Sequence, residues 1–301
     1  MKENKIVLKA PEGINFQMRM EKDGVIVVEA FYENCESKNE ASIYNYQNPY
    51  IPQGFEYLKG EWEKGFTIRN KEDGSEFTWI PVGFIEPDGT FDGIFLNERF
   101  GRRNFRYEEF SEKEYHEEVD QTLLESIIKY GGFYFSSYMA SEENGEVVFK
   151  RGKMPWVNIN QIHAKAAAEH YADGKDEIVS CLPSGAVYDT VFKWIIQTGE
   201  KIFEEVVEDS KNWGNFGCHP SLEKNIKPTG SRESWRVCNI YDLAGNCDEW
   251  TTEWRGNDYV VIRGGFYFVG RYFWPAVMRS IDFPVNNSNN TSFRAVLYKK
   301  A

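Results

Sequence analysis

The stretch YDLAGNCDEWTTEW, residues 241–254, sets the terms for the rest of the chain. Asp242, Asn246, Asp248 and Glu249 crowd hard oxygen donors around Gly245. Carboxylates and backbone carbonyls in such a turn can wrap a calcium ion. The pattern is not that of an EF-hand, which needs a longer acidic loop with its own glycine and terminal Glu. The alternative is an N-capped turn that feeds a Trp-rich strand through Trp250 and Trp254.

Downstream lies RGGFYFVGRYFWPAVMRSIDFPVNNSNNTSFRAVLY, residues 263–298. Strand neighbours point to opposite faces, so FYF and RYFW place rings on both. One side can enter a core, and the other must meet a second layer or a partner. Aromatic rings mixed with Arg and Asn have the make-up of a paratope, rigid anchors beside adaptable amides. A strand buried on both faces is the alternative. The solvated character of NNSNNTS, residues 286–292, argues against it.

Upstream of 241 the pattern is mixed. KIVLKA, INFQMRM and GVIVVEAFY, within residues 5–32, predict short antiparallel strands with KDG as a turn. A polar run, ENCESKNEAS, follows as a linker and places a boundary near residue 47. GFTIRNKEDGSEFTWIPVGF reads as a hairpin turned by EDG, and GGFYFSSYMASEE as a further strand. SEKEYHEEVDQTLLESIIKYGG predicts a helix opened by a Ser111–Glu114 capping box and closed by Gly131–Gly132. Tyr115, Val119, Leu123 and Ile127 would share its apolar face. A second helix is expected from Asn158 or Asn160 to Tyr171, and a third from a Ser184 cap to near Gly199. EKIFEEVVEDS adds a further turn or two, and 210–301 holds little helix.

Other reactive groups point to no site. His163 and His170 share a helix face, but seven residues span about 10 Å, too far for one ion. His116 beside Glu117 and Glu118 reads as surface, and the adjacent Cys218 and His219 lack the geometry of a dyad. Five widely spaced cysteines without C-x-x-C argue against a disulfide framework or a thiolate zinc site. A net charge of −12 disfavours nucleic acid as a partner. No run reaches the ~18–20 apolar residues of a membrane span. MKENKIVLKAPEGINF is no secretory signal, so synthesis in the cytoplasm without a signal peptide is expected.

YDLAGNCDEWTTEW, then VIRGGFYF, then SFRAVLY resemble the C-terminal signature of the formylglycine-generating enzyme/sulfatase-modifying-factor family. WIPVGF, GGFYFSSYMAS and PWVNINQIHAKAAAEHY are similar to its earlier strands and first helix. The resemblance covers roughly 48–301 and implies an α+β, C-type lectin-like fold after a β-rich segment at 1–47. The enzymes of that family carry a cysteine pair shortly after R-G-G; here no cysteine follows Cys247. The histidine triad of the related sulfoxide synthases has no match either. The resemblance therefore implies the fold without the enzyme, and no redox cofactor. In the family's metal turn, Asp242 and Glu249 match side-chain ligands, and Gly245 and Cys247 match carbonyl ligands, of a structural Ca2+. Asp248 stands where a Trp is usual.

The variable proteins of diversity-generating retroelements are more similar still. Their C-terminal segment, from near R-G-G to near F-R, is rewritten at adenines, and rewritten AAC codons yield much of the residue set seen here. In this chain the region is about 263–294. The resemblance implies anchors at Phe266, Tyr267, Phe268, Tyr272, Phe273 and Trp274, with Val269, Val277, Ile281, Phe283 and Val285 beside them. Arg271, Asp282, Asn286, Asn287, Asn289 and Asn290 would tune polarity. Trp274 and Met278 require other codons.

The expected function is non-catalytic binding of a protein or glycan ligand on a target surface, without nucleic acid or membrane insertion. A phage or prophage adhesin, carried on a virion or phage tail and displayed as a homo-oligomer, is the implied setting. The rival readings are an oxidoreductase of the enzyme family with altered chemistry, and a structural tail component.

Overall fold

Strand and helix signals in the chain are closely spaced, and the computed structural model resolves them into sheets with helices packed against them. It describes residues 14–20, 26–32, 45–85, 91–93, 115–117, 120–216, 225–268 and 275–301. The N-terminal alternation forms a hairpin, β1 (Ile14–Met20) with β2 (Ile26–Tyr32), in antiparallel register. Next come β3 (Phe55–Lys59), β4 (Thr67–Asn70) and β5 (Glu76–Pro81). EDG turns β4 into β5 as expected, with Gly74 in the left-handed region at φ 78°. β6 (Gly83–Ile85) pairs with β7 (Phe91–Gly93), and β8 (Tyr115–His116) follows.

The first helix is shorter than its sequence signal. α1 runs Gln121–Tyr130, with Asp120 Oδ1 accepting from the Thr122 and Leu123 N–H groups. Gly131, at φ 85°, caps its other end, as the glycine pair implied. The expected start at Ser111 is corrected by β8: Tyr115 and His116 pair with Arg255 and Trp254 as strand. Tertiary pairing of a buried Tyr115 outweighs local helix propensity there. Ser111, Glu114 and Val119 lie outside the described residues.

The remaining elements follow their punctuation. β9 (Gly132–Ser136) precedes the small β10 (Ser141–Glu143) and β11 (Glu146–Val148) hairpin. α2 (Gln161–His170) is capped by Asn160, whose Oδ1 accepts from the His163 N–H at 2.9 Å. β12 (Ile178–Cys181) leads to α3 (Gly185–Gln197), capped by Ser184 on the Val187 N–H at 3.2 Å. α4 (Phe203–Val207) is the extra turn expected after Gly199. β13 (Arg236–Val237), β14 (Ile240–Tyr241), β15 (Asp248–Arg255), β16 (Tyr259–Arg263), β17 (Arg279–Asp282), β18 (Thr291–Ser292) and β19 (Val296–Lys299) complete the chain.

Two sheets carry the architecture. The larger has strand order β12-β19-β9-β5-β4-β3, so the last strand lies next to β9 in its middle. The other runs β17-β16-β15-β18, with β8 also on β15. Alternation in β9 divides the core. Phe133 and Phe135 face a cluster with Leu123 and Ile127 of α1 and Val191 and Ile195 of α3. Tyr134 faces a second cluster with Trp79, Ala164 and Ala168 of α2, and Trp250 and Ile262 of the second sheet. The larger sheet is thus covered on both faces. The class is α+β, with four α-helices among the described residues.

Candidate binding face

The turn at 242–246 earns its shape from left-handed backbone. Asp242 and Asn246 adopt φ 59° and 68°, conformations that Asn and Asp tolerate better than other side chains. Gly245 sits at φ 75°, and a Cβ there would lie 2.5 Å from the Asn215 carbonyl oxygen. Asn246 then ties three segments together. Its Oδ1 accepts from Asn215 Nδ2 and the Lys227 N–H, and its Nδ2 donates to the Lys227 carbonyl. Its own carbonyl accepts from the Tyr267 N–H at 3.1 Å, while the Gly245 N–H donates to the Gly264 carbonyl at 2.8 Å. The turn read in the sequence is therefore the bracket that holds the start of the aromatic stretch.

Gly264 and Gly265, both left-handed at φ 89° and 74°, take the chain out of β16. The expectation that FYF continues as a strand is corrected here: β16 ends at Arg263, and 267–268 form a turn. Paired left-handed glycines break the extended backbone that a strand needs.

Beneath the face lies a buried ion network that the sequence reading did not anticipate. Arg263 Nη2 donates to Asp189 Oδ1 at 2.7 Å, and Arg279 Nη2 donates to Asp189 Oδ2. Arg279 Nε also donates to both Glu253 oxygens, at 3.1 and 3.0 Å. Their side chains are all but solvent-free. Burial lowers the pKa of Arg263, with Arg279 adding to it, while Asp189 and Glu253 oppose the shift. Glu117 extends the network to the start of α3, accepting from the Gly185 and Ala186 N–H groups at 2.6 and 3.0 Å. Burial, and then the charges of Glu253 and Asp189, push its carboxyl up to about 7. A second clamp closes the segment: Arg294 Nε donates to Glu249 Oε1 at 2.8 Å, and its other nitrogens donate to the Ser136 and Tyr241 carbonyls.

Between these clamps several of the described side chains turn outward. Phe268, Phe283 and Val285 are 61%, 45% and 64% exposed. Phe266 and Tyr267 are half-buried, with ring centroids 6.0 Å apart in an edge contact. Asn286, Asn287 and Asn289 are exposed, and Ile281, Asp282 and Asn290 partly so. Asp282 Oδ1 orders the bend by accepting from the Phe283 N–H and Asn286 Nδ2, both at 2.7 Å. The far side of this loop is held to the approach to α2. The Asn158 N–H donates to the Ser288 carbonyl and the Gln161 N–H to the Pro284 carbonyl.

Val277 is the exception among the expected contact residues. It is 0% exposed and packs in the same cluster as Phe216, Trp213 and Ala276, so it supports the face from below. The expectation is corrected because a turn at 276–277 directs it inward, where alternation along one strand would have pointed it out. Val269, Arg271, Tyr272, Phe273 and Trp274 lie outside the described residues, as do Cys218 and His219. Tyr259 was missed: its ring lies over Phe283, centroids 4.6 Å apart, and only the pairing of β16 with β17 brings them together. His116, His163 and His170 are exposed.

Of the expected calcium ligands, Glu249 and Asp242 have hydrogen-bond partners within the protein. Glu249 Oε1 is taken by Arg294, and Oε2 by the Tyr188 hydroxyl. An ion there would have to displace a guanidinium. Asp242 Oδ2 accepts from the Gly230 N–H at 2.8 Å, and its Oδ1 has no partner. Burial pushes the Asp242 carboxyl up to about 6, against the Gly230 N–H and Arg294. Among the described residues no group of three or more His, Cys, Asp or Glu could hold a metal ion. Asp242 and Gly245 thus shape the turn, and Glu249 is engaged by Arg294 and Tyr188. No described helix is long and apolar enough to cross a membrane.

No family model and no curated protein matches the chain. Solved structures to which it is similar include PvdO from Pseudomonas aeruginosa, at 14% identity over 81% of this chain and 100% of that one, TM-score 0.47. CarF is similar at 12% identity over 56% of this chain and 87% of that one, TM-score 0.41. So is Treponema denticola variable protein 1, at 12% identity over 73% and 95%, TM-score 0.39. A variable protein thus stands among the structures similar to this chain.

Proposed function

We propose that residues 264–290 form a non-catalytic ligand-binding face on a C-type lectin-like scaffold, of the kind that diversity-generating retroelements rewrite. One observation carries this reading. Arg263, Arg279 and Arg294 are buried and ion-paired, while Phe268, Phe283, Val285, Asn286, Asn287 and Asn289 between them are exposed. Fixed clamps with solvent-exposed side chains in between are what a surface needs if its residues are to change without loss of the fold. Exposed rings beside amides supply contact area and adaptable hydrogen bonding.

The ligand is a protein or glycan on a target surface. Display as an oligomer on a phage or related particle would multiply a weak single-site affinity. Among the described cysteines, burial pushes the Cys238 thiol up to about 12 and also raises Cys181 and Cys247, so these three stay protonated, which favours binding over thiolate chemistry at them.

A display library randomised at Phe268, Phe283, Val285, Asn286, Asn287 and Asn289 tests the proposal. Most members are expected to keep the parental Tm, and selection on hen lysozyme is expected to yield binders. Broad loss of folding would sink the reading. The flanking DNA is the second check: a near-copy of codons 263–294, differing at adenines and accompanied by a reverse transcriptase gene, is expected.

A further inference from the structure

The N-terminal hairpin sorts its residues by face. Its register sets Ile14 opposite Tyr32, Phe16 opposite Ala30, Met18 opposite Val28 and Met20 opposite Ile26. Directly opposed residues share a face, as do alternate residues along a strand. One face of the hairpin is therefore drawn from these eight residues, all apolar. The other holds Asn15, Gln17 and Arg19 of β1 with Val27, Glu29 and Phe31 of β2. The charged residues of the two strands, Arg19 and Glu29, cancel, and both lie on that second face.

Such a hairpin does not stand alone in water. Two strands are marginally stable at best until another layer covers their apolar face. Among the described residues β1 and β2 pair only with each other. The rest of the described surface offers no apolar row of matching size. Its exposed apolar side chains belong to the proposed binding face or are spread over separate elements, as Tyr57 on β3, Ile162 on α2 and Phe203 on α4 show.

A second copy of the hairpin does match. Turned about a two-fold axis, the face meets itself, apolar against apolar. Charge leaves this contact open: the chain carries −12, which drives copies apart, while the eight-residue face carries none. Seven residues per strand at about 3.4 Å each give a face about 24 Å long, and pairing two would bury on the order of 1,000 Å², the low end for a specific interface. That size suits a pair that forms and parts reversibly. We infer that β1 and β2 form a dimerisation element, in which the face bearing Phe16, Met18 and Val28 stacks on the same face of a second copy of this chain. Each pair then carries two of the proposed binding faces, and linked sites reinforce one another. The inference goes beyond the reading of 264–290 and does not depend on it.

Sedimentation equilibrium of the intact chain over a range of concentrations tests it without any ligand. A mass rising from one chain to two is expected. Phe16→Asp is expected to weaken the association about thirtyfold or more, because it puts a charge on the covered face. Val28→Asp, on the other strand of that face, is expected to do the same. Gln17→Asp, the next position but on the opposite face, is expected to change it less than about threefold. A single-chain mass at every concentration overturns the inference. So does association that survives Phe16→Asp and Val28→Asp, or that Gln17→Asp weakens equally. A single-chain mass together with a lower Tm in Phe16→Asp would put the hairpin against its own chain instead, and a mass beyond two chains would overturn the pairing. None of these outcomes bears on whether library members capture lysozyme, so failure of the dimer and failure of the binding face are told apart.

Discussion

The two sheets meet their burial problem in different ways. The six-stranded sheet hides rings and aliphatic side chains: Trp79, Phe133, Tyr134, Phe135 and Leu297 are all essentially solvent-free. The second sheet hides charge: Asp189, Glu249, Glu253, Arg263, Arg279 and Arg294 are equally buried. Apolar packing is non-directional and tolerates exchange of similar volumes. A buried ion network is directional, and each member is required by the others. The second sheet is the one that carries the proposed face. Its loops are fixed by a few geometric locks, which leaves exposed residues such as Phe268, Val285 and Asn287 outside the core.

The sharpest way to break this comparison is to remove the acid shared by two arginines. Asp189→Ala leaves Arg263 and Arg279 without their common partner and is expected to destabilise the protein by roughly 3–5 kcal/mol. Urea unfolding would measure it. A loss below about 1 kcal/mol would mean that the network is no lock.

Acidity offers the next test. Glu117 titrates near 7 in the folded chain, above its ordinary value of 4.5. The folded state therefore holds the proton more tightly. Its contribution is fully present below pH 4.5 and is lost as pH rises through about 7, amounting at most to about 3 kcal/mol. Glu117→Gln is expected to flatten that slope in Tm measured against pH. An unchanged slope would remove Glu117 from the network.

Asp248→Asn probes a buried acid with one unpaired oxygen. Burial, and then Glu249 and Asp282, push its carboxyl up to about 8, so it is neutral at pH 7, and the nearly isosteric amide is expected to change stability by no more than about 1 kcal/mol. A loss in Tm would show that the carboxylate already serves the fold. The smallest effect belongs to the exposed residues. Phe268→Ser and Asn287→Ser are each expected to shift stability by no more than about 0.5 kcal/mol, in contrast to Phe133→Ala at about 3–5 kcal/mol. Equal losses from both kinds of substitution would erase the distinction between the regions.

Local signals in the chain determined the pieces whose chemistry is local. Asn160, Ser184 and Gly131 punctuate helices because capping bonds reach only a few residues, and EDG closes a hairpin because glycine alone adopts that backbone freely. Asn286, Asn287 and Asn289 are exposed as the sequence implied, because amides whose partners are local stay at the surface. Tertiary structure decided the rest. Tyr115 became strand only because Arg255 lies opposite it, and Val277 turned inward only because Trp213 and Phe216 close over it. Glu249, an apparent metal ligand in its own turn, found Arg294 forty-five residues away. Asp189, Arg263 and Arg279 carry no shared motif, and the pairing of charges across such separations depends on which strands become neighbours, a choice made by the whole core at once.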